Sequence, residues 1–304
     1  MAKIGDIVDD YKILRKLGKG GFGMVFEAAK IENDGSCGKK VAVKVEDVSK
    51  TKRPQLEYEY RVYRSIAKSL TEDLSQRLPR VFAFAFEVGT NRSLNGLIME
   101  RLGVNVQQIF DSYRQDVKAG IRKKPFTRTE VFMVADQALE CVRAIHSCGF
   151  LHRDIKPENF CVRKEDSNKL CIVDFGLSKR FRTRNGEHIP QKSKKGLLGT
   201  PRYTSIRCHK GSEQSRRDDV ESLLFMILYL FHSQLPWQKT RHKVKKTRYA
   251  MILDKKLESI KSKRLFLGLG PQFVTIFTEV RNMGFTETPN YDRIREYVSS
   301  GLLV

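Results

Sequence analysis

Asp154 lies in the run His152-Arg153-Asp154-Ile155-Lys156-Pro157-Glu158-Asn159-Phe160, and twenty residues later Asp174 opens the triplet Asp174-Phe175-Gly176. The run also carries a lysine two residues after its carboxylate and an asparagine five residues after it. Phosphoryl transfer needs an acid that orients a hydroxyl nucleophile, an Asp and an Asn that hold a divalent ion, and a cation that neutralises charge on the transferred group. Asp154 is the candidate base, Lys156 the group that steadies the γ-phosphate, and Asn159 with Asp174 the ligands of magnesium, which favours oxygen donors. An N-capping Asp, a surface Lys and a turn Asn would each be ordinary alone. Their joint spacing, with a short apolar strand between the two motifs, is not explained that way.

Upstream, Gly18-Lys19-Gly20-Gly21-Phe22-Gly23 and then Val25 fit G-x-G-x-x-G, a pattern that dinucleotide-binding folds share. Such folds run from the glycines into a helix and present an acid about 20 residues later. Here the strand-like Met24-Val25-Phe26-Glu27-Ala28 follows, and then Val41-Ala42-Val43-Lys44-Val45. The glycines are therefore expected to form a flap between antiparallel strands, whose backbone closes over phosphates without side-chain obstruction. Alternation puts the three valines on one face and Ala42 with Lys44 on the other. Ala42 leaves room for a flat base, and Lys44 reaches the α- and β-phosphates. Between Gln55 and Leu70, helical spacing sets Val62, Tyr63, Ile66, Ala67 and Leu70 on one face with Glu59, while Glu57 points elsewhere. A carboxylate aimed at the core needs a cation, and Lys44 is the expected partner.

These side chains need a frame. Residues 11–100 read as short strands with one helix, and the pattern turns helical after Gly103. Thr127 and Glu130 form a capping box for a helix with the stripe Val131, Val134, Ala135, Ala138, Leu139, Val142 and Ile145, ending near Gly149. Short strands at 160–162 and 170–173 flank a polar turn and leave Asp174 at a strand end. Helices dominate from Asp219. The expected fold class is α+β and bilobal. A small antiparallel sheet lobe with one regulatory helix (about 11–100), a hinge (about 100–103) and a larger, mostly helical lobe (about 104–297) make one catalytic domain over 11–297. A length of 304 residues suits two lobes, and 40% hydrophobic with 30% charged residues argues against disorder. The longest apolar run, Leu223 to Phe231, is well short of the about 20 residues of a bilayer span, so a buried helix and no membrane span are expected. The first residues form no apolar run, so a signal segment is not expected. The six cysteines include no C-x-x-C pair and are expected to be free buried thiols in a reducing compartment.

Together these motifs resemble the eukaryotic protein kinase superfamily over about residues 11–297. Gly199-Thr200-Pro201-Arg202-Tyr203-Thr204-Ser205-Ile206, Glu213 to Leu223 and Leu235-Pro236-Trp237-Gln238 are similar to the casein kinase one group. The segment Ile145 to Leu151 leading into the catalytic run resembles that group's tau-tubulin kinase branch. The resemblance implies ATP and magnesium as cofactors, with Gly18, Lys19, Gly20, Gly23, Val25, Ala42, Lys44 and Glu59 around the nucleotide. It also implies Met99 behind the adenine, Glu100 to Leu102 as the hinge strand that bonds the base, and Asp219 as the anchor of the catalytic loop. Most kinases end the activation segment with Ala-Pro-Glu; Ser205-Ile206-Arg207 stands there instead, a loss the casein kinase one group shares. Lys156 and Thr200 match serine/threonine kinases, so Ser and Thr hydroxyls are the implied acceptors. The group favours acidic or already phosphorylated substrates, and its anion pocket aligns with Lys195, Arg202 and Arg248. It usually works without activation-loop phosphorylation, so constitutive activity is expected, although Arg153 could receive a phosphate from Thr183 or Ser193.

The net charge of +22 adds to this picture by creating a positive field that draws in anionic partners. Between Ser178 and Lys195 seven Lys or Arg stand against Glu187, and between Lys239 and Arg264 eleven stand against Asp254 and Glu258. These runs flank the expected substrate groove and suit the steering of an anionic peptide. The expected partners are ATP and protein substrates with acidic or phosphorylated segments, bound by a monomer. Specific nucleic-acid binding is not expected, because the basic runs lack an interleaved aromatic platform, although low-salt nonspecific affinity follows from the charge. The competing reading is a catalytically weak pseudokinase scaffold that binds phosphoproteins; the presence of Lys44, Glu59, Asp154, Asn159 and Asp174 argues against it. Residence is expected in the cytoplasm, the nucleus or both, with Lys243 to Arg248 an import-like stretch.

Overall fold

Period-two alternation in the first hundred residues produces one antiparallel sheet in the computed structural model, which describes residues 2–20, 23–51, 54–88, 93–183 and 185–300. Its strands are β1 (Ile7–Val8), β2 (Tyr11–Gly20), β3 (Gly23–Ile31), β4 (Cys37–Asp47), β5 (Val81–Val88) and β6 (Leu94–Glu100), in the order β1-β2-β3-β4-β6-β5. Gly20 pairs with Gly23, so the glycine run joins two antiparallel strands as expected; Gly21 and Phe22 lie outside the described residues. Val41, Val43 and Val45 share a buried cluster with Phe26, Ala28 and Ile98. The register Gly18↔Val25↔Lys44↔Leu97, beside Glu27↔Ala42↔Met99, sets those residues on the opposite face. A one-residue slip of β4 would send Lys44 into the apolar cluster, so burial itself fixes this register.

Helix α1 (Leu56–Ala67) packs on β5 and β6 and buries Leu56, Glu59, Val62, Tyr63 and Ile66. It has no side-chain cap of its own; the Glu46 carboxylate of β4 instead accepts from the amides of Gln55 (2.9 Å) and Leu56 (3.1 Å). A carboxylate there satisfies orphan donors and complements the helix dipole. The expected apolar face is shorter than its spacing suggested: Ala67, the last helical residue, is exposed, and Leu70 lies beyond the helix and is half-buried. Glu57 points outward and pairs with Arg61. The short α2 (Glu72–Ser75) leads into β5.

Two compact units divide the chain: Met1–Gly103 with Val162–Gly176, and Val104–Cys161 with Leu177–Val304. The return of Val162–Gly176 to the first unit has a local cause. Arg163 donates to the carbonyls of Gln76 (3.1 Å) and Leu78 (2.7 Å) and pairs with Glu100 at 2.6 Å, and the Ile172 amide donates to Arg77 O at 2.9 Å. Asp174 therefore belongs to the first unit and Asp154 to the second.

The remaining elements are α3 (Val106–Lys118), α4 (Arg128–Ser147), β7 (Phe150–Leu151), β8 (Phe160–Arg163), β9 (Asp166–Ile172), β10 (Lys179–Arg180), α5 (Ile206–His209), α6 (Arg216–His232), α7 (Lys245–Lys261), α8 (Pro271–Asn282) and α9 (Tyr291–Ser300). The Thr127/Glu130 capping box opens α4, with both reciprocal bonds formed. Every residue of α6 from Arg216 to Leu230 is buried, so this apolar helix is the axis of the second unit's core. No helix of the described residues is long and apolar enough to cross a membrane. All six cysteines are free, but not all are buried: Cys37 is exposed at the start of β4, before its core-facing part, and Cys161 is half-buried.

Candidate active site

In the first unit three charged groups meet. Lys44 Nζ lies 2.6 Å from Glu59 Oε2 and 2.9 Å from Asp174 Oδ1, with the lysine 6% and the glutamate 1% exposed. β4 supplies the cation, α1 the buried carboxylate, and the turn after β9 the second carboxylate. Burial opposes the charge on Lys44, but its two carboxylates outweigh it and hold the ammonium well above its usual range. Burial pushes Glu59 up to about 7 against the attraction of Lys44, which is shared with Asp174. Asp174 adopts a left-handed backbone (φ 69°), and its amide donates to the Tyr63 hydroxyl at 3.2 Å. Such backbone persists only where neighbours over-determine it. Tyr63, which also meets the Phe175 ring edge-on at 4.7 Å, is thus a second-unit-independent brace that sequence spacing marked only as core.

Of the other nucleotide candidates, Gly18, Gly20, Val25, Ala42 and Met99 share this sheet face, whereas Lys19 pairs through Met24 with Val45 and Glu100 pairs with Val41 on the opposite one. A Cβ on Gly20 would come within 3.8 Å of Lys44 Cε, placing the end of the flap beside the lysine. Lys19 is exposed, Val25 half-buried, and Ala42 and Met99 are buried. Glu100 spends its side chain on Arg163 and on the Arg80 amide (3.0 Å), and its own amide donates to Arg80 O at 2.8 Å. Leu102 is buried and its carbonyl accepts from the Arg101 guanidinium. Glu27 was not anticipated: buried on this face, it binds Arg15 at 3.0 Å and Arg101 at 3.1 Å.

In the second unit Asp154 is held from both sides. Its Oδ1 accepts from the Thr200 amide (2.8 Å) and hydroxyl (2.7 Å), and its Oδ2 accepts from Lys156 Nζ at 2.6 Å. Asn159 Nδ2 donates to Asp154 O at 2.9 Å, which leaves Asn159 Oδ1 as the atom able to ligate an ion. Asp219 rises from α6, fully buried, and accepts from the amides of His152 (2.7 Å) and Arg153 (2.8 Å). His146 Nε2 lies 3.0 Å from the same carboxylate, while its Nδ1 lies 2.7 Å from the Tyr291 hydroxyl. Burial opposes ionisation of Asp219, but His146 and the loop amides outweigh it and keep the group low. These bonds support the left-handed backbone of Arg153 (φ 67°). Gly199, at φ 92°, is required where it stands, because a Cβ would sit 2.5 Å from Arg153 O. That close approach lets Thr200 reach Asp154.

The segment beyond Thr200 is anchored by charges from elsewhere in the unit. Ser205 Oγ donates to Asp218 Oδ1 at 2.6 Å, and the Ile206 amide donates to Glu221 Oε1 at 3.0 Å. Where Ser205-Ile206-Arg207 offers no carboxylate of its own, α6 provides one. Lys256 of α7 is fully buried, donates to Thr204 O at 2.5 Å, and lies 4.5 Å and 5.4 Å from the Phe225 and Trp237 ring centroids. Burial pushes its ammonium down to about 7. Lys256 is therefore not part of the solvated basic run in which its sequence position placed it. The candidate anion residues are held through separate partners. Lys195 is exposed, 3.4 Å from Glu213; half-buried Arg202 lies over the rings of Tyr203 and Tyr229; and Arg248 of α7 keeps a buried Nε without a hydrogen-bond partner.

His209, in α5, gives a pH prediction. Burial and then the nearby Lys256 push it down to about 3 against its bond to Pro201 O. The unfolded chain takes up this proton near pH 6.5, the native state only near pH 3, so stability is lost as pH falls between those values. The loss is about 1 kcal/mol per pH unit after discounting for partial exposure. His209→Gln should flatten the acid side of a plot of urea midpoint against pH; an unchanged slope would contradict the assignment.

Among the described residues no cluster of three or more His, Cys, Asp or Glu could hold a metal ion. One Asp and one Asn nevertheless suit an ion that completes its shell with phosphate oxygens and water, as magnesium does on nucleotides. The family model described as "Protein kinase domain" matches residues 11–267, well over half of the chain.

Proposed function

The chain belongs to the protein kinase family, and from that premise we propose that it is a serine/threonine kinase of the casein kinase one group, resembling the tau-tubulin kinase branch. The protein is a phosphotransferase that uses ATP and a divalent metal on protein substrates; the proposal adds magnesium as the ion and acidic or already phosphorylated segments as the substrate class. The observation that carries it is the setting of Asp154, fixed by Thr200 and Lys156.

Asp154 accepts the hydrogen bond of a Ser or Thr hydroxyl and takes its proton as the oxygen bonds to the γ-phosphorus. The bond from γ-phosphorus to the β,γ-bridging oxygen breaks, giving phosphoprotein and ADP. Lys156 sits on the other oxygen of Asp154, placed to steady the transferred group. Lys44, steered by Glu59, holds the α- and β-phosphates; Ala42 and Met99 border the base, with the hinge backbone of Glu100 to Leu102. Asp174 and Asn159 are the residues that would hold magnesium, which would supply charge neutralisation to the phosphates. For a loose transition state this positioning and neutralisation supply most of the acceleration.

Lys195, Arg202 and Arg248 are the proposed contacts for a substrate phosphate or acidic cluster. The buried, unpartnered Nε of Arg248 supports this, because such a donor is costly unless an acceptor arrives. We further read the enzyme as a constitutively active monomer in the cytoplasm, the nucleus or both, without specific nucleic-acid binding. An array of Ser and Thr peptides with magnesium and ATP, with and without an upstream phosphate or acidic cluster, tests the substrate class. Preference for the acidic and primed peptides is expected; preference for basic peptides would contradict it.

A further inference from the structure

Within the helical unit, three segments line an open, solvent-facing cavity of about 650 Å3 that the reaction does not use. They are residues 123–125 ahead of α4, residues 231–233 at the end of α6, and Arg264 with Leu267 and Gly268 between α7 and α8. That volume lies in the range of ligand sites, about 300–1,000 Å3. The walls are pinned. His232 Nε2 lies 2.8 Å from Leu265 O, Arg128 donates to Gly268 O at 2.6 Å, and the Tyr297 hydroxyl donates to Leu269 O at 2.5 Å. Leu265, Phe266 and Leu269 are buried in the core, yet Leu267 between them is 68% exposed. It faces solvent in a loop whose flanking carbonyls are hydrogen-bonded.

Around the apolar surface of Leu267 and half-buried Phe231 stand the exposed cations Lys123, Lys124 and Arg264, with Lys124 Nζ 5.9 Å from the Phe231 ring centroid. No carboxylate lines the cavity. An inorganic anion would leave the leucine unused, and an apolar ligand would leave the cations unused. We propose that this cavity docks an acidic linear peptide segment carrying one apolar side chain, its carboxylates on Lys123, Lys124 and Arg264 and its apolar side chain against Leu267 and Phe231. Single-stranded nucleic acid fits less well, because Phe231 is half-buried and meets His232 edge-on at 5.1 Å, which leaves no open platform for a base. Such a docking site would raise the local concentration of a tethered Ser or Thr at the catalytic loop.

The inference rests on the charge and shape of this cavity and not on the substrate reading above, so binding and catalysis are measured separately. Anisotropy at physiological salt would follow a fluorescein-labelled glutamate-rich peptide with a central leucine, its Leu-to-Ser counterpart, and an oligothymidylate, each with the full chain. Lys124→Glu with Arg264→Glu should weaken the leucine peptide by about tenfold or more, and Leu267→Ser by several-fold. The Leu-to-Ser peptide should bind the wild type as weakly as the leucine peptide binds Leu267→Ser. A control with the same charge change on the first unit, Lys12→Glu with Lys30→Glu, should shift affinity less than about twofold. Activity on a short peptide without the docking segment should be unchanged in Leu267→Ser. Equal loss in cavity and control variants, no loss in either, indifference to the leucine, or oligothymidylate binding with the same dependence on Lys124 and Arg264 would each overturn the proposal.

Discussion

Asp154→Asn should lower kcat for phosphate transfer by about 10³-fold, within the range for loss of a positioned acid–base group. The Asn oxygen can still accept from Thr200, while Lys156, which loses its acceptor on Oδ2, is partly exposed and can turn to solvent, so the loop is expected to stay in place. What disappears is the carboxylate proposed to take the hydroxyl proton. KM for ATP should change little, because the proposed role of Asp154 is on the acceptor side of the reaction. The unfolding midpoint should stay within about 1 kcal/mol of wild type. Steady-state kinetics and urea unfolding on the same preparation check both parts, and full activity in the variant would remove Asp154 from its assigned role.

Lys44→Met should be as damaging to transfer and, unlike Asp154→Asn, costly to the fold. Lys44 is the cation that Glu59 and Asp174 share, and its removal leaves a buried carboxylate without compensation. Breaking a buried pair from one side costs about 3–5 kcal/mol. Glu59 can limit the loss by taking up a proton, since burial already pushes it up to about 7 with Lys44 in place. The sign follows. A carboxyl whose folded pKa is raised contributes stability at low pH and loses it as pH rises through the folded value. The variant should therefore be destabilised more at pH 8 than at about pH 6. Thermal unfolding at the two pH values checks the sign, and a deficit independent of pH would mean that Glu59 stays charged without its lysine.

Much of this site was legible because its parts obey local periods. The strand period separated Val41, Val43 and Val45 from Ala42 and Lys44, and the helical period aimed Glu59 inward; the two elements then met at 2.6 Å. Side chains that act across long sequence gaps left no such trace. Thr200 binds Asp154 across 46 residues, Lys256 reaches Thr204 across 52, and Glu221 accepts from the Ile206 amide across 15. No periodicity links these positions, and Lys256 lies in a run whose composition suggests solvated charge. Errors at element ends have another cause. Ala67 keeps the helical spacing of its neighbours but lies where α1 stops, and Cys37 lies on the part of β4 that precedes the core. Spacing shows which face a residue takes, not where the covering layer ends.

The central claim is that Asp154 and Lys44 serve one reaction, the movement of the γ-phosphate of ATP to a Ser or Thr hydroxyl. The most direct measurement is radiolabel transfer from γ-labelled and, separately, α-labelled ATP with magnesium to an acidic Ser/Thr peptide, with the modified residue located by mass spectrometry in wild type, Asp154→Asn and Lys44→Met. Label from the γ-position only, on Ser or Thr, is expected in the wild type, with loss of it in both variants. Unchanged transfer in either variant, or a wild type that binds the peptide and transfers nothing, would contradict it.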